Sequence, residues 1–347
     1  MTPPSSPAAR QAGRLLEALQ LRFVDRLRTA ATAAGTGAPF QRVSWLRDGG
    51  RHGGGARHVA DEPTVFNRGS INFSAVHYDD LPDKRLASAN ALSAIVHPAH
   101  PRAPSIHVHI SLTELREGPA SWRLMADLNP SMPNPKHTAA FREMLQRAGG
   151  DHYERASAQG DRYFYIPAAG RHRGVCHFYQ EGFATDDAAA DVDYAQSFGE
   201  AVIDCYGEIL VDALTEASPP TPAERTRQIG YHTLYVFQVL TLDRGTTSGL
   251  LVHSDNDLGI MGSLPAFIDR ERLASWESSM PDPQRPLLRG LVDSLPPNAL
   301  CPVDDAQKRR FAQVVRNHYR ANPRAQVYMA RGDVLPPTVA NHGSSRL

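Results

Sequence analysis

The order of its elements predicts an α+β fold for this chain, a large antiparallel sheet flanked by helices. Strand-like runs at residues 72–77, 91–97 and 105–112 follow one another with no helical stretch between them. Helical patterns lie before and after this block and do not alternate with it strand by strand, which argues against a doubly wound parallel sheet. In the last run His107, His109 and Ser111 fall on one face, because side chains alternate along a strand.

Taken in order, residues 1–10 are rich in Pro, Ser and Ala and are expected to be disordered, leaving a single domain over 11–347. Leu15, Leu16, Leu19, Leu21, Phe23, Val24 and Leu27 recur at helical spacing and predict a helix over 11–34. The Gly-rich stretch 48–55 reads as a flexible loop, since glycine relaxes the backbone, with an anion cradle as the competing reading. Beyond the strands, 137–148 reads as a helix ended by Gly149-Gly150, 162–166 as a strand, and 192–216 as a long helix with Pro219-Pro220 past its end. Residues 234–242, 250–253 and 260–264 are apolar and strand-like, with a turn at Asp243-Arg244-Gly245, and 308–319 is a late helix.

Lys and Arg number 37, as do Asp and Glu, so the formal net charge is zero. Zero charge argues against nucleic-acid binding, which needs a basic surface to displace counterions. No apolar run approaches the ~20 residues of a membrane helix. The first residues lack the apolar segment of a secretory signal. A soluble, cytoplasmic protein with no membrane partner is expected. Cys176, Cys205 and Cys301 lie far apart and offer neither a zinc ribbon nor a disulfide framework. There is no GxGxxG after a strand, no GxxxxGK[ST], no GxSxG and no HExxH, so nucleotide, hydrolase and zincin readings lack support.

Two imidazoles on one strand face, His107 and His109, have the geometry of a metal site. Glu114 follows at a spacing like that of a cupin motif, but Gly118 comes too early and no second motif follows. A His-ligated, metal-dependent oxygenase stays open at this point.

The segments around these histidines resemble one family, the oxygen-dependent coproporphyrinogen III oxidases. Residues 65–77 (VFNRGSINFSAVH), 93–101 (SAIVHPAHP), 104–111 (PSIHVHIS) and 126–130 (ADLNP) match successive blocks of that family. So do Tyr163-Phe164-Tyr165 with Arg173-Gly174, then 242–246 (LDRGT) with Gly249-Leu250, and 261–265 (MGSLP). The blocks occur in family order across roughly 45–270, and their succession is more specific than any one of them. The resemblance implies a broad antiparallel sheet, a homodimer, and oxidative decarboxylation of a pyrrole propionate by molecular oxygen with no organic cofactor. It implies that His107 is a proton donor, suited by imidazole's near-neutral pKa. It also implies that Asp127 contacts the pyrrole nitrogen and that Ser93 contacts substrate. His97, His107 and His137 match three of four histidines sometimes assigned to a metal; Ala168 stands at the fourth, with His172 nearby, so a metal is doubtful.

The departures from the family cluster where substrate carboxylates should bind. His109 and Ser111 stand where the family has Asn and Arg. His253-Ser254-Asp255 stands where it has Gly-Gly-Arg. Neither Ser nor Asp reproduces the two-pronged grip of arginine on a carboxylate, and Asp255 would repel one. Arg123, Leu124 and Met125 fill positions of family glycines. Arg173 and Arg123 are left to hold one carboxylate, and Asp255 suits an amine. Ser93, His109, Ser111, Arg173, His253 and Asp255 are therefore the candidate substrate contacts, with His107 and Asp127 as the candidate catalytic pair. The expected function is oxygen-dependent oxidation, by oxidative decarboxylation, dehydrogenation or oxygenation, of a smaller N–H heteroaromatic acid or amino acid, an indole or pyrrole, in specialised metabolism. A genuine coproporphyrinogen oxidase with a rearranged pocket is the alternative.

Overall fold

The computed structural model describes residues 2–37, 40–60, 64–215, 218–253 and 256–330. Seven strands form one sheet: β1 (Gln41–Leu46), β2 (Gly53–Ala60), β3 (Phe66–His77), β4 (Leu86–Pro98), β5 (Ser105–Leu115), β6 (Ser121–Asn129) and β9 (Cys176–Phe183). Their order across the sheet is β1-β2-β3-β4-β5-β6-β9, every pair antiparallel. The short ribbon of β7 (Tyr165–Ile166) and β8 (Arg171–His172) stands beside it.

Alternation gives the sheet two unlike faces. Leu92, Ala94 and Val96 of β4, Ile106, Val108 and Ile110 of β5, and Leu124, Ala126 and Leu128 of β6 enter one core. That core is closed by α1 (Pro7–Ala33) and α4 (Ala188–Thr215), through Leu16, Leu19, Phe23, Phe198 and Val202. Of the residues between them, Ser93, Ile95, His107, His109 and Met125 line a cavity on the opposite face. α2 (Pro135–Gly149) and α3 (Tyr153–Phe164) connect β6 to β9. The cavity side is covered by a helical layer with its own apolar core: α5 (Pro222–Thr241), α6 (Arg244–Val252), α7 (Asp257–Ile260), α8 (Arg270–Ser275), α9 (Gln284–Asp293) and α10 (Asp305–Ala321). The strands β10 (Phe267–Asp269) and β11 (Leu300–Pro302) pair within this layer. No helix among the described residues is long and apolar enough to cross a membrane.

Several sequence expectations shift. α1 starts at Pro7, not at residue 11, because Ser6 caps it by accepting the Ala9 N–H at 3.2 Å. The Thr2 N–H also donates to the Gly50 carbonyl, so described residues of the segment expected to be disordered are ordered here. Gly53–Gly55 open strand β2, not a loop. A Cβ at Gly53 or Gly55 would lie 2.1 Å from the carbonyl oxygen of Ala75 or Phe73, so only glycine lets β2 run this close to β3. The run 234–242 is the end of helix α5, whose Thr221/Glu224 capping box fixes its start. It is buried on nearly all sides, and periodicity does not separate such a helix from a buried strand. The runs 250–253 and 260–264 likewise contain the ends of helices α6 and α7. The strand expected at 162–166 is the last turn of α3 followed by two extended residues.

Gly160 of α3 sets how closely that helix lies on β9. A Cβ there would meet the His177 Cβ at 2.7 Å and β9 backbone atoms at 3.2 Å. Gly160→Ala is expected to destabilise the fold by about 1–3 kcal/mol through overpacking, despite alanine's better helix propensity. Urea unfolding of the variant against the parent checks this.

Candidate active site

The face of β3–β6 turned away from the main core floors a cavity of about 350 Å³, covered by α5 and α6. Ser93, His107, His109, Ser111, Arg173 and His253, predicted from sequence on four separate segments, all line it. Asp255 lies outside the described residues.

His107 and Asp127 are direct neighbours across β5 and β6, and His177 is the next across β6 and β9. This register places the Nδ1 of His107 at 2.7 Å from Asp127 Oδ1. The Asp127 Oδ2 accepts from Arg173 Nη2 at 2.8 Å and from Asn129 Nδ2 at 2.7 Å. Asp127 is wholly buried. Burial alone would raise its pKa, but the Arg173 guanidinium and His107 hold it well below the usual carboxylate range. The carboxylate is therefore ionised behind the cavity wall, and the cavity meets His107, not Asp127 itself. The direct contact with a substrate nitrogen that the resemblance implies for Asp127 is not what this geometry offers.

Arg173 reaches back because Gly174 turns the chain at φ +81, where a Cβ would lie 2.8 Å from the Leu128 carbonyl oxygen. His177 pins the same turn, its Nε2 lying 2.7 Å from the Arg173 carbonyl oxygen and its Nδ1 at 2.7 Å from Asp161. The guanidinium lies over the rings of Phe164 and Tyr235, at 4.9 and 5.2 Å. Thus Arg173 lines the cavity with its charge already committed to Asp127.

Arg123, expected to be available for a carboxylate, is committed too. It makes a two-pronged ion pair with Glu181, one bond of 2.8 Å and one shorter, and Tyr179 donates its hydroxyl to the same carboxylate at 2.6 Å. His109 is bonded to Ser111 Oγ at 3.0 Å. Burial, together with Arg123 and His107, pushes its pKa well down, so it presents a neutral imidazole. His253, at the end of α6, is tied through Nδ1 to Arg47, which also donates to the Tyr78 hydroxyl at 3.2 Å.

The three histidines offered as metal ligands do not converge. His97 is buried away from the cavity, with Nδ1 bonded to Ser105 at 2.9 Å and its ring among Tyr231, His232 and Tyr235. His137 belongs to the first turn of α2, and its Nε2 bonds Asp212 at 2.8 Å. It is buried there. Glu114 accepts from Ser6 and Ser88, so it does not complete a cupin-like set with His107 and His109. Among the described residues, no group of three or more His, Cys, Asp or Glu is placed to hold a metal ion.

Sequence reasoning missed Asp243. Its carboxylate caps α6, accepting from the Thr246 N–H at 2.6 Å and from the Tyr163 hydroxyl at 3.2 Å, and the residue lines the cavity. The signal was present: Asp243, ahead of Arg-Gly-Thr-Thr, is a residue that favours the cap position before a helix and need not mark a hairpin turn.

A family model for coproporphyrinogen III oxidase matches residues 11–283. The chain is also similar to the oxygen-dependent coproporphyrinogen-III oxidase of Rickettsia akari (strain Hartford). The two share 29% identity over 243 residues, which is 66% of this chain and 84% of the relative.

Proposed function

Because the chain belongs to the coproporphyrinogen III oxidase family, whose members are oxygen-dependent oxidoreductases, we propose that it oxidises an N–H heteroaromatic acid smaller and less acidic than the family's tetrapyrrole. The substrate is an indole or pyrrole carrying a carboxylate or amino-acid side chain, and molecular oxygen is the oxidant with no organic cofactor. One observation carries this reading: among the described residues, the guanidinium groups that line the cavity already hold partners within the protein, two of them carboxylates. Arg123 is paired with Glu181 and Arg173 with Asp127, while Arg244 donates to the Ala330 carbonyl at 2.9 Å. A ligand with four carboxylates needs cations free to fork onto it. Much of the wall consists of neutral hydroxyls and amides instead, and its volume is at the small end of the ~300–1,000 Å³ of ligand pockets.

The residues divide the chemistry between them. The Asp243 carboxylate has lone pairs beyond those used by Thr246 and Tyr163, and accepts the ring N–H, which makes the heteroaromatic ring more electron-rich towards oxygen. His107, which lines the cavity, is held by Asp127 with its proton on Nδ1, leaving Nε2 as the nitrogen that moves protons. Asp127 acts through His107 as a positioning residue. For a propionate side chain, the β C–H bond and the bond to the carboxylate break, and CO2 leaves. The electron pair of the C–CO2 bond forms the new vinyl bond. The hydride equivalent and one proton convert O2 to H2O2. Dehydrogenation without loss of CO2 transfers the same two electrons to oxygen.

The genuine coproporphyrinogen oxidase reading is favoured by the extent of the family match, which takes in every residue lining the cavity. A screen of indole and pyrrole acids under oxygen, read by mass change, separates the two. A new oxidised product from a small acid, with no rescue of a haem-deficient strain, is the expected result. Rescue of that strain without small-acid turnover would overturn the proposal.

A further inference from the structure

A second cavity, of about 490 Å³, lies between the start of α3 and the end of β9. Tyr179 lines both cavities, Arg123 lines the first and Glu181 the second. The Arg123–Glu181 pair, braced by the Tyr179 hydroxyl, therefore crosses the wall between them. The backbone is shaped for this. Trp122 of β6 faces Phe183 and Leu124 faces Gln180, so the single residue Arg123 lies opposite both Glu181 and Gly182. Gly182 takes up this bulge at φ +67. The extra residue lets Phe183 pack against the main core as well as line the second cavity, while Tyr179 and Glu181 stay at the partition. Both members of the pair are largely buried, at 20% and 11% side-chain exposure, so the bridge is a fixed part of the wall and not a surface contact.

From this we infer that the Arg123–Glu181 bridge is the specificity-determining partition of the active site, which sets an upper limit on substrate size by closing off the second compartment. The proposal rests on the small-substrate reading only for the identity of the natural ligand. Its own readout is a ratio of affinities.

The test compares binding of indole-3-propionate and coproporphyrin III, by calorimetry, to the wild-type chain and to the double variant R123A/E181A. Removing both charges together leaves neither buried alone. The double variant is expected to gain about tenfold or more in macrocycle affinity relative to the indole acid. Arg123→Lys, which keeps a cation facing Glu181, is expected to retain wild-type selectivity. The milder pair R123S/E181Q carries the same prediction as the double alanine variant should that one melt below the assay temperature. An unchanged affinity ratio in a folded double variant overturns the partition, whichever probe the wild type prefers. A wild type that binds the macrocycle and not the indole acid overturns the small-substrate reading instead, while a raised ratio in the variant would still support the partition.

Discussion

His107→Gln is expected to lower the rate of substrate-dependent oxygen consumption by about 10²–10⁴-fold, with KM little changed. The amide of glutamine is close to imidazole in reach and can still donate to Asp127. It cannot take up and return a proton near neutral pH. The loss should therefore fall on kcat, because a proton-transfer group is removed while the serines and rings that hold the substrate are kept. An oxygen electrode under saturating substrate checks the prediction, and a variant within a few-fold of wild type would remove His107 from the chemistry.

Asp127→Asn is expected to reduce both stability and rate. The carboxylate is wholly buried and is the counter-charge of Arg173, itself buried. Breaking a buried pair from one side costs about 3–5 kcal/mol, because the remaining charge keeps its desolvation penalty. The rate should fall about 10–100-fold, as when a group that orients another is lost, since asparagine no longer fixes the proton of His107 on Nδ1. The pH dependence has a definite sign. The carboxyl's pKa in the folded protein lies below its ordinary value of 3.8, so its stabilisation is fully present above about pH 4. It is lost as the pH falls through the depressed folded value. Wild type and variant should therefore differ by a constant amount in urea unfolding between pH 5 and 7, a gap that narrows only below about pH 4. A gap that widens on acidification would contradict the assignment of Asp127 as an ionised partner.

The sheet was legible because its two faces differ. Strands β4 and β5 alternate apolar with small or polar residues, so alternation alone assigns His107, His109 and Ser111 to one face, and Ser93 joins them from the neighbouring strand. Helix α5 was not legible. Its second half is buried on nearly every side, between the cavity and the other cover helices, and a run buried all round has no period to read. The roles of the arginines were hidden for a different reason. Arg123 is neutralised by a residue 58 positions further on, across a bulge, and Arg173 by one 46 positions earlier. Nothing in the local sequence around either arginine announces its partner. Asp127 shows how a resemblance can identify a residue and leave its position open: the register puts it opposite His107, and burial puts it behind that ring.

The central claim, a small heteroaromatic acid oxidised in a cavity whose described arginines already bond within the protein, is tested most directly by oxygen uptake with two substrates in parallel. The same protein preparation is given indole-3-propionate or a pyrrole propionate in one vessel and coproporphyrinogen III in the other, with product masses read at the end. Faster uptake with the small acid is predicted, together with a product lighter by two hydrogens, or by CO2 and two hydrogens, and one H2O2 per turnover. Uptake confined to coproporphyrinogen III, with conversion of its propionates to vinyl groups, would contradict it.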